Sequence, residues 1–272
     1  MHSFSVCMSV YRNDEAGAFI ASVHSIYDQT FPPSEIIIVV DGPISPSLED
    51  AISQLVNDIP VIRIIRLENN MGHAIARQTG LEAAKNELCA VMDADDLSVP
   101  ERFEKQIKAF EQHPEVSVVG GLINEYINSI DNVVGSRIVP EFDKDIKDYL
   151  KSRCPMNLVT VMLKKSDVMS VGGYLDWYCE EDYYLWIRLA LGGYNFYNIQ
   201  ENLVNVRVGE EMYQRRGGIK YFLSEAKLQR LMLNKGLIHL PRFLYNLTVR
   251  FVIQVLMPNR IRGWVFRTFA RS

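Results

Sequence analysis

Apolar runs and polar gaps alternate through the first half of the chain with the rhythm of strands and helices. Residues 4–10 form an apolar run, and Asn13-Asp14 supplies a cap for a helix reaching residue 28. Residues 36–40 repeat the strand pattern and stop at the turn signal Asp41-Gly42. A helix near residues 47–57 leads to a third run, 61–66. The loop 68–72 opens a helix to residue 84, and residues 88–92 make a fourth strand. Pro100 fits the first position of a helix ending at residue 112, and residues 116–120 are a fifth strand. Short strands that are apolar on both faces and separated by helices predict a parallel sheet covered on both sides. After Gly121 the pattern loosens into short strands and loops, with helices near 143–151 and 181–191. Beyond Gly217 the chain reads as helices broken at Gly236, Pro241 and Pro258.

At 272 residues and 48% apolar content, the chain can bury one core with a small annex. Cys7, Cys89, Cys154 and Cys179 show no metal or disulfide spacing, which fits buried thiols in a reducing compartment. No leader pattern opens the sequence. The longest apolar stretch, 243–257, is interrupted by Asn246, Arg250 and Gln254, so it does not read as a membrane span. A cytoplasmic protein is expected. The net charge of −4 hides an asymmetry: residues 226–272 carry nine Lys/Arg and no Asp or Glu, leaving a net of −13 in the first 225 residues. An acidic body without a basic stripe argues against a nucleic-acid partner, and a basic tail suggests surface binding.

In parallel sheets ligands bind beyond the carboxyl ends of the strands. Those ends carry Ser9-Val10-Tyr11, Asp41, and Asp93-Ala94-Asp95-Asp96. Three carboxylates within four residues repel one another unless a cation is shared, and such oxygen ligands suit Mg2+ or Mn2+. An acidic turn ahead of the Pro100 helix is the plain alternative.

Taken together, these elements resemble the family 2 glycosyltransferases. The likeness runs through Ser5-Val6-Cys7-Met8-Ser9-Val10-Tyr11-Arg12-Asn13, Ile37-Ile38-Val39-Val40-Asp41-Gly42, Asn69-Asn70-Met71-Gly72 with Ala76-Arg77 and Gly80, Asp93-Ala94-Asp95-Asp96, and Glu181-Asp182-Tyr183-Tyr184-Leu185-Trp186. The resemblance implies an α/β fold of the GT-A type: a Rossmann-like, mostly parallel sheet with helices on both faces, followed by a C-terminal helical segment. It divides the chain into a nucleotide-sugar-binding half (1–122), an acceptor-binding half (123–216) and a basic helical extension (217–272). By the same resemblance Asp41 reads the uracil ring while Ser9 and Tyr11 hold the base. Asp93 lies near the ribose, Asp95 and Asp96 are the metal candidates, and Asp182 is the base for an inverting, in-line displacement. How Asp93, Asp95 and Asp96 share the ribose and the metal is left open. Core packing is the alternative for Tyr11, and a solvated helix position for Arg77, otherwise a second cation beside the diphosphate. Glu181 is next in line for the base, and a helix cap is the alternative for one of Glu180 and Glu181.

The C-terminal half resembles the bacterial branch that builds capsule, exopolysaccharide and O-antigen units, amylovoran-type enzymes included. The residues concerned are Cys154-Pro155-Met156-Asn157, Thr160, Gly172-Gly173-Tyr174, Val206-Arg207-Val208-Gly209 and Tyr213-Gln214-Arg215-Arg216-Gly217-Gly218. That implies a nucleotide-sugar donor, a UDP-sugar, and a polyprenyl-diphosphate-linked saccharide as acceptor. Arg207, Arg215 and Arg216 are candidates for a diphosphate, or form a solvated basic loop. Leu158 stands where a His is common, and Tyr184 where many relatives have a second Asp. Two other enzyme classes fit less well. An aspartate-nucleophile phosphatase places its acidic motif on the first strand, and a nucleotidyltransferase needs a Gly-rich basic loop that residues 9–14 lack. Residues 259–272 mix Arg260, Arg262, Arg267 and Arg271 with Trp264, Phe266 and Phe269, as interfacial helices do, so an anionic membrane surface on the inner face of the cytoplasmic membrane is an expected partner.

Overall fold

The fold is known from a computed structural model, which describes residues 3–209 and 217–257. Arg215, Arg216 and the segment 259–272 lie outside the described residues. The order of elements is β1 (Phe4–Val10), α1 (Ala16–Tyr27), β2 (Glu35–Asp41), α2 (Pro46–Asp58), β3 (Ile62–Leu67), α3 (His73–Ala83), β4 (Leu88–Asp93), β5 (Leu97–Ser98), α4 (Arg102–Gln112), β6 (Val116–Tyr126) and β7 (Val133–Arg137). There follow α5 (Asp143–Leu150), a 3-10 turn (Leu158–Thr160), β8 (Met162–Lys164), α6 (Lys165–Ser170), α7 (Glu181–Leu191), β9 (Asn195–Arg207), α8 (Ile219–Asn234) and α9 (Leu240–Phe251), which continues into a wide π-type turn (Val252–Leu256).

The strands form one sheet in the order β3-β2-β1-β4-β8-β6-β9-β5, with β7 paired to β6. β1 to β4 are parallel, and so are β6 and β9, while β5, β7 and β8 run against their neighbours. The period of two in the central strands divides their side chains between two cores. Val6, Met8, Ile36, Ile38 and Val40 face α1, α2 and α4, where Phe19, Leu48 and Phe103 are fully buried. Cys7, Ile37 and Val39 face the opposite way, into a core shared with Trp186 of α7 and Leu228 and Met232 of α8.

The fifth expected strand does not stop at Gly120. It continues to Tyr126, because the glycine pair is not a turn but a place of close approach. A Cβ on Gly120 would stand 2.5 Å from Asn198 Oδ1, and one on Gly121 2.4 Å from Leu203 Cδ1, both on β9. β9 itself has 13 residues, yet its Asn, Gln and Glu side chains hide it from an apolar-run reading. Asn13-Asp14 does not cap α1, which starts at Ala16; the Asp14 carboxylate accepts the Tyr11 N–H instead. Pro100 sits in the turn before α4 rather than at its first position. Pro241 opens α9 instead of breaking it, at a position where no N–H donor is needed. No helix among the described residues is long and apolar enough to cross a membrane.

Candidate active site

Because β2, β1 and β4 are adjacent and parallel, their carboxyl ends open on one edge. Ser9 lies beside Val39 on one side and Asp93 on the other. Tyr11 leads the chain off β1, its N–H donating to Asp14 Oδ2 at 2.9 Å and its ring meeting His73 at 6.1 Å between centroids. Asp41 closes β2. Its Oδ1 accepts the Met71 N–H at 2.6 Å, while Oδ2 accepts the Gly72 N–H at 2.9 Å and the Asn70 amide at 3.1 Å. The carboxylate thereby sews the loop before α3 onto the strand end. Gly42 permits this approach: its φ is +82°, and a Cβ there would stand 2.4 Å from the Asn70 nitrogen. Three of a carboxylate's roughly four acceptor positions are thus filled from within the protein, leaving room for one further donor.

The end of β4 and the turn after it carry Asp93, Asp95 and Asp96, and are tied to α1 by the Ser22 hydroxyl, which donates to the Asp93 carbonyl at 2.9 Å. Arg77 of α3 reaches this turn and α7 together. Its Nη2 donates to Asp93 Oδ1 at 3.1 Å and its Nη1 to Glu181 Oε1 at 2.6 Å. At 8% exposure Arg77 is no solvated helix residue. Burial works against its charge, but Asp93 and Glu181 outweigh burial and hold the guanidinium above its ordinary value. Asp95 is exposed. Asp96 is 2% exposed and its Oδ1 accepts the Arg207 N–H at 2.9 Å. Burial, then the charges of Asp93 and Asp95, push the Asp96 carboxyl well above its usual range. The Arg207 guanidinium pairs with Glu15 at 3.2 Å.

Among the described residues, no group of three His, Cys, Asp or Glu converges to hold a metal ion unaided. Asp93 is committed to Arg77 and Asp96 is buried behind the Arg207 amide. The remaining donor set fits an ion that takes one or two protein carboxylates and completes its shell with phosphates and water, which is the habit of Mg2+ and Mn2+.

Across from the strand ends stands the start of α7. Asp182 is half-buried, its Oδ1 accepting the Tyr183 N–H at 2.6 Å and its Oδ2 facing the Cys154 thiol at 3.6 Å. Burial, then Glu181, raise the Asp182 carboxyl above its ordinary value, the direction that suits a group which must take up a proton. The Cys154 thiol is itself pushed up by burial and by Asp182, so it keeps its single S–H, shared between the carboxylate and the Met156 carbonyl at 3.5 Å. Glu180 is buried and accepts the Tyr221 hydroxyl of α8 at 2.5 Å. α8 grips the same loop twice more: the Trp177 indole donates to the Ser224 carbonyl at 3.2 Å, and the Ser224 hydroxyl to the Tyr178 carbonyl at 2.7 Å. Tyr184, where many relatives have an Asp, packs its ring 4.5 Å from Trp177 and beneath the Arg188 guanidinium. Leu158, where a His is common, sits half-buried against the second core.

Three neighbours of the site were assigned no role from the sequence. Asp14, expected as a cap, sits close enough to Asp95 and Asp93 that burial and their charges push it up to about 6. Tyr174 is buried with a hydroxyl that has no hydrogen-bond partner among the described residues, and Arg77, Asp182 and Glu181 are its charged neighbours. Cys154 has only its place in the Cys154-Pro155-Met156-Asn157 run to recommend it. A long-range ion pair such as Arg77–Glu181 leaves no local trace for pattern reading to find.

A sheet edge with Asp41 and the Asp93–Asp96 turn, joined through one buried arginine to an acidic helix start, has the GT-A architecture of glycosyltransferases. The glycosyl transferase family 2 model matches residues 5–169 and the glycosyl transferase family group 2 model residues 88–267, so the chain belongs to family 2. It is 36% identical over 232 residues to the amylovoran biosynthesis glycosyltransferase AmsE of Erwinia amylovora, covering 85% of each chain. It is 33% identical over 269 residues to the UDP-Gal:alpha-D-GlcNAc-diphosphoundecaprenol beta-1,3-galactosyltransferase of Escherichia coli, covering 98% of this chain and 96% of that one. In fold it is similar to the mannosyltransferase PcManGT of Pyrobaculum calidifontis, solved with GDP-Man and Mn2+. There the TM-score is 0.65 at 16% identity, covering 95% of this chain and 71% of that one.

Proposed function

We propose that the protein transfers a sugar from a UDP-sugar, with inversion, to a hydroxyl of a lipid-diphosphate-linked saccharide during surface polysaccharide synthesis. The observation that carries this reading is the Arg77 bridge, which sets the donor edge at Asp93 and the acceptor helix at Glu181 within one guanidinium of each other. Ser9, Tyr11 and the remaining acceptor position of Asp41 hold the uridine, and Asp93 meets the ribose. Asp95, the exposed carboxylate of its turn, holds a Mn2+ or Mg2+ ion with the donor phosphates. Asp96, buried and bonded to the Arg207 amide, shapes that turn; its burial moves the expected metal contact toward Asp95. The ion, when bound, neutralises charge on the departing nucleoside diphosphate. Asp182 takes the proton from the acceptor hydroxyl, oriented by the Cys154 thiol and the Tyr183 amide. Displacement in line from the opposite face needs no second nucleophilic carboxylate. The names of the amylovoran and diphosphoundecaprenol relatives support the acceptor class, and the latter also supports a UDP-sugar.

On this reading residues 1–122 serve the donor, 123–216 the acceptor, and 217–272 form an extension to the membrane. The four arginines of residues 259–272 would each add about 1 kcal/mol of attraction to an anionic bilayer, placing the enzyme on the inner face where lipid-linked acceptors are built. A thermal-shift panel of nucleotide sugars tests the donor assignment. A UDP-sugar should raise the melting temperature with Mn2+ and lose most of that effect in excess chelator, by mass action. Stabilisation by a GDP- or TDP-sugar alone would overturn the UDP assignment, and equal stabilisation with chelator would overturn the metal.

A further inference from the structure

The helix α9 packs Phe243 on the second core, yet along the rest of its inward side it buries polar side chains while large apolar ones stay outside. Asn246, Arg250 and Gln254 recur every four residues and form one stripe, and that polar stripe is the face turned inward. The Asn246 amide donates to the Lys151 carbonyl at 2.9 Å and to Gln229 Oε1 at 2.7 Å. Arg250 pairs with Glu225 of α8 at 3.0 Å and donates to the Ser152 carbonyl at 2.7 Å, and Gln254 donates to the same Glu225. The outward face carries Leu240, Leu244, Tyr245, Phe251, Val252 and Leu256, with Leu244 54% and Tyr245 65% exposed. A surface helix in water has the opposite pattern, with its apolar stripe toward the core. Burying an ion pair and two amides while leaving six large apolar side chains outside adds desolvation cost and forgoes apolar burial. The arrangement makes physical sense when the outside is itself apolar.

We infer that α9 and the π-type turn that prolongs it lie along a lipid bilayer, with the outward apolar face sunk into the acyl boundary. The occupant is an anionic lipid surface. Residues 226–257 hold no carboxylate and four Lys/Arg besides the inward Arg250, and Arg242 on α9 and Lys220 at the start of α8 are exposed. An interfacial helix combines such an apolar face with basic neighbours. The inference rests on the membrane placement proposed above and adds to it a face on residues other than the 259–272 tail. It also has a consequence for the acceptor. α9 holds the carbonyls of Lys151 and Ser152, three and two residues before the Cys154 that faces Asp182, and α8 holds Glu180 at the start of α7. The bilayer-facing helices are therefore the same ones that brace the acceptor end of the site.

The test is flotation of the full chain with vesicles of phosphatidylcholine containing or lacking phosphatidylglycerol. The forms compared are wild type, a Leu244→Glu/Tyr245→Glu variant, and a deletion of residues 259–272. The double variant should partition about tenfold or more weakly onto the anionic vesicles, because two apolar contacts are replaced by charges the surface repels. Its melting temperature and its transfer to a water-soluble acceptor should match wild type, since both side chains are exposed. The tail deletion should retain binding that the double substitution then removes. A Leu244→Cys variant carrying an environment-sensitive fluorophore should shift to the blue on vesicles, a readout that needs no disruptive change. Wild-type binding by the double variant, with no spectral shift, would overturn the docking face, whatever the tail does. Loss of all binding on tail deletion alone would leave the tail proposal standing and overturn this one. A wild-type dimer in light scattering that the double variant abolishes, with no lipid dependence, would assign the face to a second copy of the chain and also overturn it.

Discussion

The proposed donor edge and the proposed acceptor end of this molecule are built on opposite principles. At this edge β1, β2 and β4 are mostly apolar along their length, and chemistry begins where they stop: Ser9, Asp41 and Asp93 all lie at or next to a strand terminus. At the acceptor end, Asp182 is positioned by polar contacts that arrive from far along the chain. Arg77 reaches Glu181, Cys154 faces Asp182, and Tyr221 holds Glu180. The donor edge is a property of a sheet, whereas the acceptor end is a property of a network. Changes to the first should remove single functions cleanly, and changes to the second should spread.

Asp95→Ala is the sharpest break at the donor edge. If the ion depends on this exposed carboxylate, turnover should fall by about 1,000-fold or more, several kcal/mol of lost transition-state stabilisation. Because Asp95 is exposed, the melting temperature should hold. A variant within tenfold of wild-type turnover, measured with saturating Mn2+, would move the ion elsewhere.

Arg77→Met tests the bridge between the two regions. It leaves Asp93 and Glu181 facing each other without their shared cation, and the fold should lose about 3 kcal/mol, the lower end for breaking a buried pair. Chemical denaturation would measure that loss. Both donor affinity and acceptor turnover should suffer, unlike Asp95→Ala. An effect confined to one substrate would show that the regions are not coupled through this side chain.

Tyr221→Phe is the gentlest change. It removes one hydroxyl from the buried Glu180 and should cost about 1 kcal/mol. Acceptor KM should rise while donor affinity stays constant, because the lost hydroxyl bonds to Glu180, on the α7 side of the site. A shift in donor affinity of similar size would blur the distinction between the two ends.

The same contrast decides what could be read from the sequence. The parallel core was legible because residues buried on both faces leave continuous apolar runs, as in residues 4–10 and 36–40. α7 was legible to the residue, since an acidic first turn leads an apolar-periodic helix. β9 was not, because Asn198 and Asn202 spend their polarity inside the fold, bonding Pro140 and the Asn124 amide. The Gly120-Gly121 pair read as a stop when it marks strand-to-strand contact. In α9 the stripe of Asn246, Arg250 and Gln254 read as an interruption of an apolar stretch, when it is the inward face of the helix. Each of these features draws its meaning from a partner distant in sequence, and periodicity carries no record of partners.

The central claim is that Asp182 is the base of a sugar transfer, and Asp182→Asn measured for binding and transfer tests it most directly. The substitution keeps the shape and still accepts the Tyr183 N–H. Nucleotide-sugar affinity should therefore stay near wild type while transfer falls by about 100- to 10,000-fold, the contribution of a general base. The pH profile gives an independent check. Asp182 must be ionised to act, and its carboxyl is raised above its ordinary value, so wild-type kcat/KM should be full above that raised value and fall as pH drops through it. The variant should lack that acid limb. Transfer by Asp182→Asn at the wild-type rate, with the acid limb intact, would contradict the account.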